Sequence, residues 1–78
     1  MSLAHRIATL KYSGFLGLAE EHEKRKAWRK AAMMWTRAAE AGQSINDGYG
    51  KWAAARAEIC RRRISEQENG NDTIAVAS

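Results

Sequence analysis

No proline interrupts this chain, and Cys60 is its single cysteine. The first absence removes the commonest helix breaker. The second excludes an intramolecular disulfide and fits a reducing compartment. Metal ligands are also few. Only His5 and His22 join Cys60, with no Cys-x-x-Cys or His-x-x-x-His spacing, so no structural zinc site and no cofactor are expected. Long apolar runs are missing as well: no segment approaches the roughly 20 residues of a membrane span. The start, MSLAHRIATLKYSGF, lacks a continuous apolar stretch and a small-residue cleavage site, so a cytoplasmic location is expected. Catalytic signatures are absent too. There is no Ser/His/Asp ordering, no paired carboxylates and no Gly-rich phosphate loop, and the expectation is a binding protein and not an enzyme.

What remains is a helical composition. The 78 residues are rich in Ala, Glu, Lys, Arg, Leu and Met, and β-branched residues are few before the last six positions. The formal net charge is +4, but nine acids are mixed among thirteen bases, with Glu20, Glu21 and Glu23 directly before Lys24, Arg25 and Lys26. A surface specialised for phosphate segregates the signs better, so direct nucleic-acid binding is expected to be weak or absent. A single core of this size supplies only ~3–5 kcal/mol of net stability, which makes self-association, most simply as a homodimer, an expected aid.

Apolar spacing divides the chain into four segments. In the first, from about Ser2 to Leu10, Leu3, Ile7 and Leu10 recur at helical intervals, and the segment either continues into the next helix or docks elsewhere. The second, from about Ser13 to Lys24, puts Phe15, Leu18, Ala19 and His22 on one face, with His22 read as a core histidine and Gly14 and Gly17 as weak points or places of close backbone approach. The third, from about Ala27 to Ala41, lines up Trp28, Ala31, Ala32, Trp35, Ala38 and Ala39, and Gly42 suits the left-handed position that ends a helix. In the fourth, from about Asn46 to Ser65, Ser44, Asn46 or Asp47 caps the start, and Tyr49, Trp52, Ala53, Ile59 and Cys60 share a face with Arg56 between them. The segment Glu66 to Ser78 is polar and aperiodic, so the expected division is a helical domain over 1–65 and a disordered tail over 66–78.

The expected fold is all-α, a small domain of three to four helices. Within it, Phe15-x₂-Leu18-Ala19-x₂-His22 followed by Ala31-x₃-Trp35 has the form of a tetratricopeptide-like helix-turn-helix pair, and Tyr49-x₂-Trp52-Ala53 restarts the pattern 34 residues after Phe15. That spacing suits a protein-interaction module of one and a half repeats; generic packing of three amphipathic helices is the other reading. The expected structural core is Phe15, Leu18, Trp28, Ala31, Trp35, Ala38, Trp52, Arg56 and Cys60. Arg56 lies on an apolar face and needs a carboxylate, for which Glu23 is the candidate. Trp28 and Trp52 are divided evenly between core and interface roles.

The pattern Ala19-x₃-Glu23-x₄-Trp28-x₂-Ala31-Ala32-x₂-Trp35-x₂-Ala38, then Asn46, then Trp52-Ala53-x₂-Arg56-x₃-Cys60, resembles the AraC negative regulators. These are small bacterial proteins that bind AraC-type virulence activators and damp them. The resemblance spans roughly Tyr12 to Arg63, and Trp-x₃-Arg-x₃-Cys is its most specific part. It implies a transcription regulator acting through protein–protein binding, with an AraC-type activator as partner and histone-like nucleoid-structuring proteins as a further one. The chain departs from the pattern at His22, where Leu is usual, and at Lys26, where Gly is usual. The plasmid-encoded regulator C activators share the Ala-Ala-x-x-Trp core and a late Arg/Cys element. They supply the alternative, a direct DNA-binding helical regulator.

With the inner stripe of the third segment assigned to the core, its outer side is left for a partner. The expected partner-binding residues are Lys26, Arg29, Lys30, Met33 and Arg37, a flexible apolar side chain among four cations. Arg61, Arg62 and Arg63 form a second basic group, read mainly as complementing a helix C-terminus.

Overall fold

The computed structural model describes residues 2–77, with side chains described over 2–68. It contains three helices: α1 (Leu3–Lys24), α2 (Trp28–Gln43) and α3 (Asp47–Ala77). The all-α class expected from composition is the class observed, and no strand occurs among the described residues.

The first two segments are one helix. Ser2 starts it, its hydroxyl accepting from the His5 amide at 3.1 Å, and nothing between Leu10 and Ser13 is stiff enough to break it. The turn into α2 is tight. The Lys26 amide donates to the Glu23 carbonyl at 2.9 Å and the Ala27 amide to the His22 carbonyl at 2.8 Å. This wrap over the end of α1 places Lys26 at φ 59°, in the left-handed region.

The end of α2 differs from expectation. Gly42 does not take a left-handed φ after the helix; it lies buried inside α2, which runs on to Gln43 and closes at Ser44. The physical reason is crowding. A Cβ on Gly42 would meet the Gly50 amide nitrogen and the Tyr49 carbonyl carbon at 3.0 Å and the Tyr12 ring at 3.1 Å. At Gly42 and Gly50 the backbones of α2 and α3 approach closely, with no Cβ on either residue to hold them apart.

Asn46 caps α3, accepting from the amides of Gly48 at 2.7 Å and Tyr49 at 3.3 Å. The helix does not stop at Ser65, where the sequence reading placed the boundary of a disordered tail; it is continuous to Ala77. No proline intervenes, and Glu66 sits one turn from Arg63 at 3.7 Å, so the local chemistry supports another turn. Ser78 lies outside the described residues, as do the tail side chains from Asn69 onward.

Helix α2 is the centre of the packing: α1 and α3 both lie against it, and they meet each other at Glu23–Arg56 and Tyr12–Tyr49. The core comprises Ala19, Ala31, Ala32, Trp35, Ala38, Ala53, Ala57 and Cys60, with Tyr12, Phe15, Leu16, Trp28, Met34 and Ala39 packed around it. Trp35 is the largest of the fully buried side chains, and the pairing of this indole with small alanines is what lets the three helices approach closely.

Two of the expected core residues are not inside. Leu18 is 50% exposed and Trp52 49% exposed. In α1 the inward direction is fixed by Tyr12, Leu16, Ala19 and Glu23, and Leu18 falls off that line. Trp52 leans over the edge of the core, its ring 5.3 Å from the Trp35 ring and nearly perpendicular to it, with the far half in solvent. Phe15 and Trp28 are half-buried.

Candidate partner-binding surface

The polar feature that fixes the three helices is Glu23, in the last turn of α1. Its carboxylate accepts from the indole Nε1 of Trp35 at 3.1 Å and from the Arg56 guanidinium at 2.8 Å to each oxygen. The Cys60 thiol approaches it at 3.8 Å. One side chain of α1 therefore ties a residue of α2 to two of α3. The Arg56 guanidinium also stacks 5.4 Å from the centre of the Trp35 ring. The Glu23–Arg56 bridge expected from the apolar setting of Arg56 is present. Burial, reinforced by the Glu23 carboxylate, pushes the Cys60 thiol above its ordinary pKa, so it stays protonated and unreactive. Among the described residues, every buried side-chain polar atom has a hydrogen-bond partner.

This hub is committed to structure, and its residues are those that carry the sequence pattern: Glu23, Trp35, Arg56 and Cys60, with Ala19, Ala31, Ala32, Ala38 and Ala53 packed beside them. The residues expected to bind a partner lie on the other side of α2 and in the turn before it. Lys26, Arg29, Lys30, Met33 and Arg37 are all exposed, with Met33 at 52%. Met33 stands alone as a large apolar group on this face, with Glu40 further along it.

The surface is less uniformly basic than the sequence implies. Arg29 forms an ion pair with Glu68 of α3, a residue in the stretch expected to be disordered. Arg61 reaches across from α3 to donate to the Thr36 hydroxyl at 3.0 Å and pairs with Glu58 at 3.2 Å. Arg63 stacks over Trp28, 5.8 Å from the ring centre. The second basic group is thus largely occupied by contacts within the chain.

Two hollows border the face. The larger, about 690 Å³, lies between the first half of α1 and the second half of α2, with Ile7, Ala8, Phe15, Arg37 and Glu40 in its wall. The smaller, about 330 Å³, has Trp28 and Ile64 at its base with Arg29, Lys30 and Glu68 at its edge. Glu68 was missed as a neighbour of this face because the helix was expected to end at Ser65; the signal for it was the absence of any breaker before Gly70.

No helix among the described residues is long and apolar enough to cross a membrane. No family model, curated protein or solved structure matches the chain.

Proposed function

We propose that this chain is a bacterial transcription regulator that acts in the cytoplasm by binding a protein, most simply an AraC-type activator that it damps. The observation that carries the reading is the division of labour on α2: the inner stripe is taken up by the core, while Met33 stands exposed among Arg29, Lys30, Arg37 and Lys26. A flexible apolar side chain inside a ring of cations suits an acidic-rimmed shallow pocket on a partner. The resemblance to the AraC negative regulators names that partner class, and histone-like nucleoid-structuring proteins are the second. Self-association as a homodimer belongs to the same reading. The alternative, a direct DNA-binding regulator, is weakened by the internal contacts of Arg61 and Arg63.

Co-purification with a defined AraC-type activator, followed by surface kinetics, tests the proposal. Charge reversal at Arg29 and Lys30 should slow association, because rim charges act mainly on encounter. Met33→Asp should shorten the lifetime of the complex, because a central apolar anchor acts mainly on dissociation. If both variants bind as the parent does, the α2 face is ordinary solvated surface. Sequence-selective nanomolar binding in a DNA shift assay at physiological salt would favour the alternative.

A further inference from the structure

Helix α1 carries two apolar faces, and only one of them is used by the fold. The inner face holds Ala8, Tyr12, Phe15, Leu16 and Ala19 against α2. On the opposite side lie Leu3 and Leu10, each exposed by 73%, with Ile7, exposed by 43%, at the edge of that side where it also borders the hollow against α2, followed by Gly14 and Gly17. Positions 3, 7, 10, 14 and 17 alternate in steps of four and three, the spacing of a coiled-coil seam. The fold does not require either glycine, since a Cβ at Gly14 or Gly17 would meet nothing within 4 Å. Glycine inside a helix is unfavourable, so these two positions carry a cost that nothing in the monomer explains.

Resting on the self-association reading, we propose that this face pairs with the same face of a second copy, antiparallel, about a two-fold axis at Leu10. The seam is self-complementary only in that direction. With Leu10 facing Leu10, Leu3 of one copy lies over Gly17 of the other, and Ile7 lies over Gly14 within one residue. Large side chains then fill the space that the glycines leave open, which is how helices pack closely. The charges agree with this direction. The first half of α1 bears His5, Arg6 and Lys11 and no acid, whereas the second half bears Glu20, Glu21 and Glu23 against His22 and Lys24 and so is acidic on balance. Glu21 continues the seam and, when antiparallel, lies about one turn beyond the start of the partner helix, on the side of its positive dipole end. The first turn of that helix has no acidic residue of its own to meet its exposed amides. Parallel pairing would set like-charged halves together and leave glycine facing glycine.

Sedimentation of the full chain at micromolar concentration, combined with cysteine cross-linking, tests both the contact and its direction. The parent should sediment as a dimer. Leu10→Lys puts two like charges on the axis and should weaken the dimer ~100-fold or more while far-UV circular dichroism stays unchanged. Leu10→Cys should cross-link to itself on mild oxidation, and Leu3→Cys should cross-link to Gly17→Cys but not to itself; the parent is the control, its Cys60 being fully buried. A parent that stays monomeric overturns both this pairing and the self-association reading, and leaves the face to a foreign helix. A dimer that survives Leu10→Lys overturns the pairing alone. Efficient Leu3→Cys self-linkage overturns the antiparallel direction.

Discussion

The α2–α3 interface is closed by different means at its two ends. Near the start of α2, Glu23, Trp35, Arg56 and Cys60 close it with a carboxylate that satisfies donors from two other helices. Near the end of α2, Gly42 and Gly50 close it by letting two backbones touch, with the Tyr12 and Tyr49 rings 5.5 Å apart beside them. One end depends on directional bonds, and the other on the absence of atoms. They should therefore fail differently: the first when a partner is removed, the second when a single methyl is added.

The largest effect is expected where both means depend on one side chain. Trp35 is 1% exposed and fills the space between the alanines, while its indole N–H is held by Glu23. Trp35→Ala should cost ~3–5 kcal/mol, enough to unfold a core of this size. Urea denaturation followed by circular dichroism checks this. A folded, cooperative variant with an unchanged midpoint would mean that the core is organised around some other residue.

Next comes the carboxylate. Glu23→Ala strands the Arg56 guanidinium and the Trp35 N–H. A fully buried pair loses ~3–5 kcal/mol when one partner goes, but Arg56 is 37% exposed and can rehydrate, so about 2–3 kcal/mol is expected. Glu23→Gln keeps an acceptor for Trp35 and should lose less. The thiol gives an independent reading of the same end. Cys60 is fully buried, so alkylation should be slow in the parent and fast in Glu23→Ala if the hub opens. The pH dependence has a definite sign. Burial, chiefly, and then the Glu23 carboxylate raise the Cys60 pKa above its unfolded value. Burial, and then Tyr49, raise that of Tyr12. Each favours the protonated form in the folded state. Their contribution is full below the unfolded thiol and phenol pKa values, and is lost as pH rises through the folded ones. Stability should decline on the alkaline side, and thermal melts from neutral to alkaline pH would show it. A midpoint that rises over that window would contradict both burials.

The glycine end is tested by addition. Gly42→Ala gains up to about 1 kcal/mol of helix propensity but drives a methyl into the α3 backbone at 3.0 Å. Backbone cannot rotate away as a side chain can, so overpacking should win, with a net loss of about 1–2 kcal/mol. A variant more stable than the parent would show that the two helices can part at no cost and that the contrast between the ends is false.

These two ends were not equally legible in the sequence. The alanine and tryptophan stripe of α2 reads directly as a buried face, and the Arg56–Glu23 bridge follows from a cation on an apolar face. The glycine contact does not, because a glycine near the end of a periodic run reads equally well as a cap, and only the position of α3 decides. Leu18 and Trp52 were misplaced for a related reason: a helical face spans more than 100°, and which edge of it turns inward depends on where the neighbouring helices lie. For the partner surface, exposure was readable from the polar side of α2. The pairing of Arg29 with Glu68 was not, because it depends on α3 continuing past Ser65.

The smallest effect concerns the turn that joins α1 to α2 beside the hub. Lys26 holds φ at 59°, where a side chain bearing a Cβ is strained by ~1–2 kcal/mol. Glycine relieves that strain but adds freedom to the unfolded chain, which offsets part of the gain. Lys26→Gly should therefore raise stability by about 0.5–1 kcal/mol, read as a higher urea midpoint with an unchanged slope. Lys26 is also a cation close to Lys24 and Arg25, so loss of charge alone could stabilise the turn. Lys26→Ala separates the two causes, because it removes the charge and keeps the strained Cβ. If the glycine variant gains and the alanine variant does not, the left-handed turn is the source. Equal gains would assign the effect to charge and make the backbone at this end of the interface as relaxed as the other.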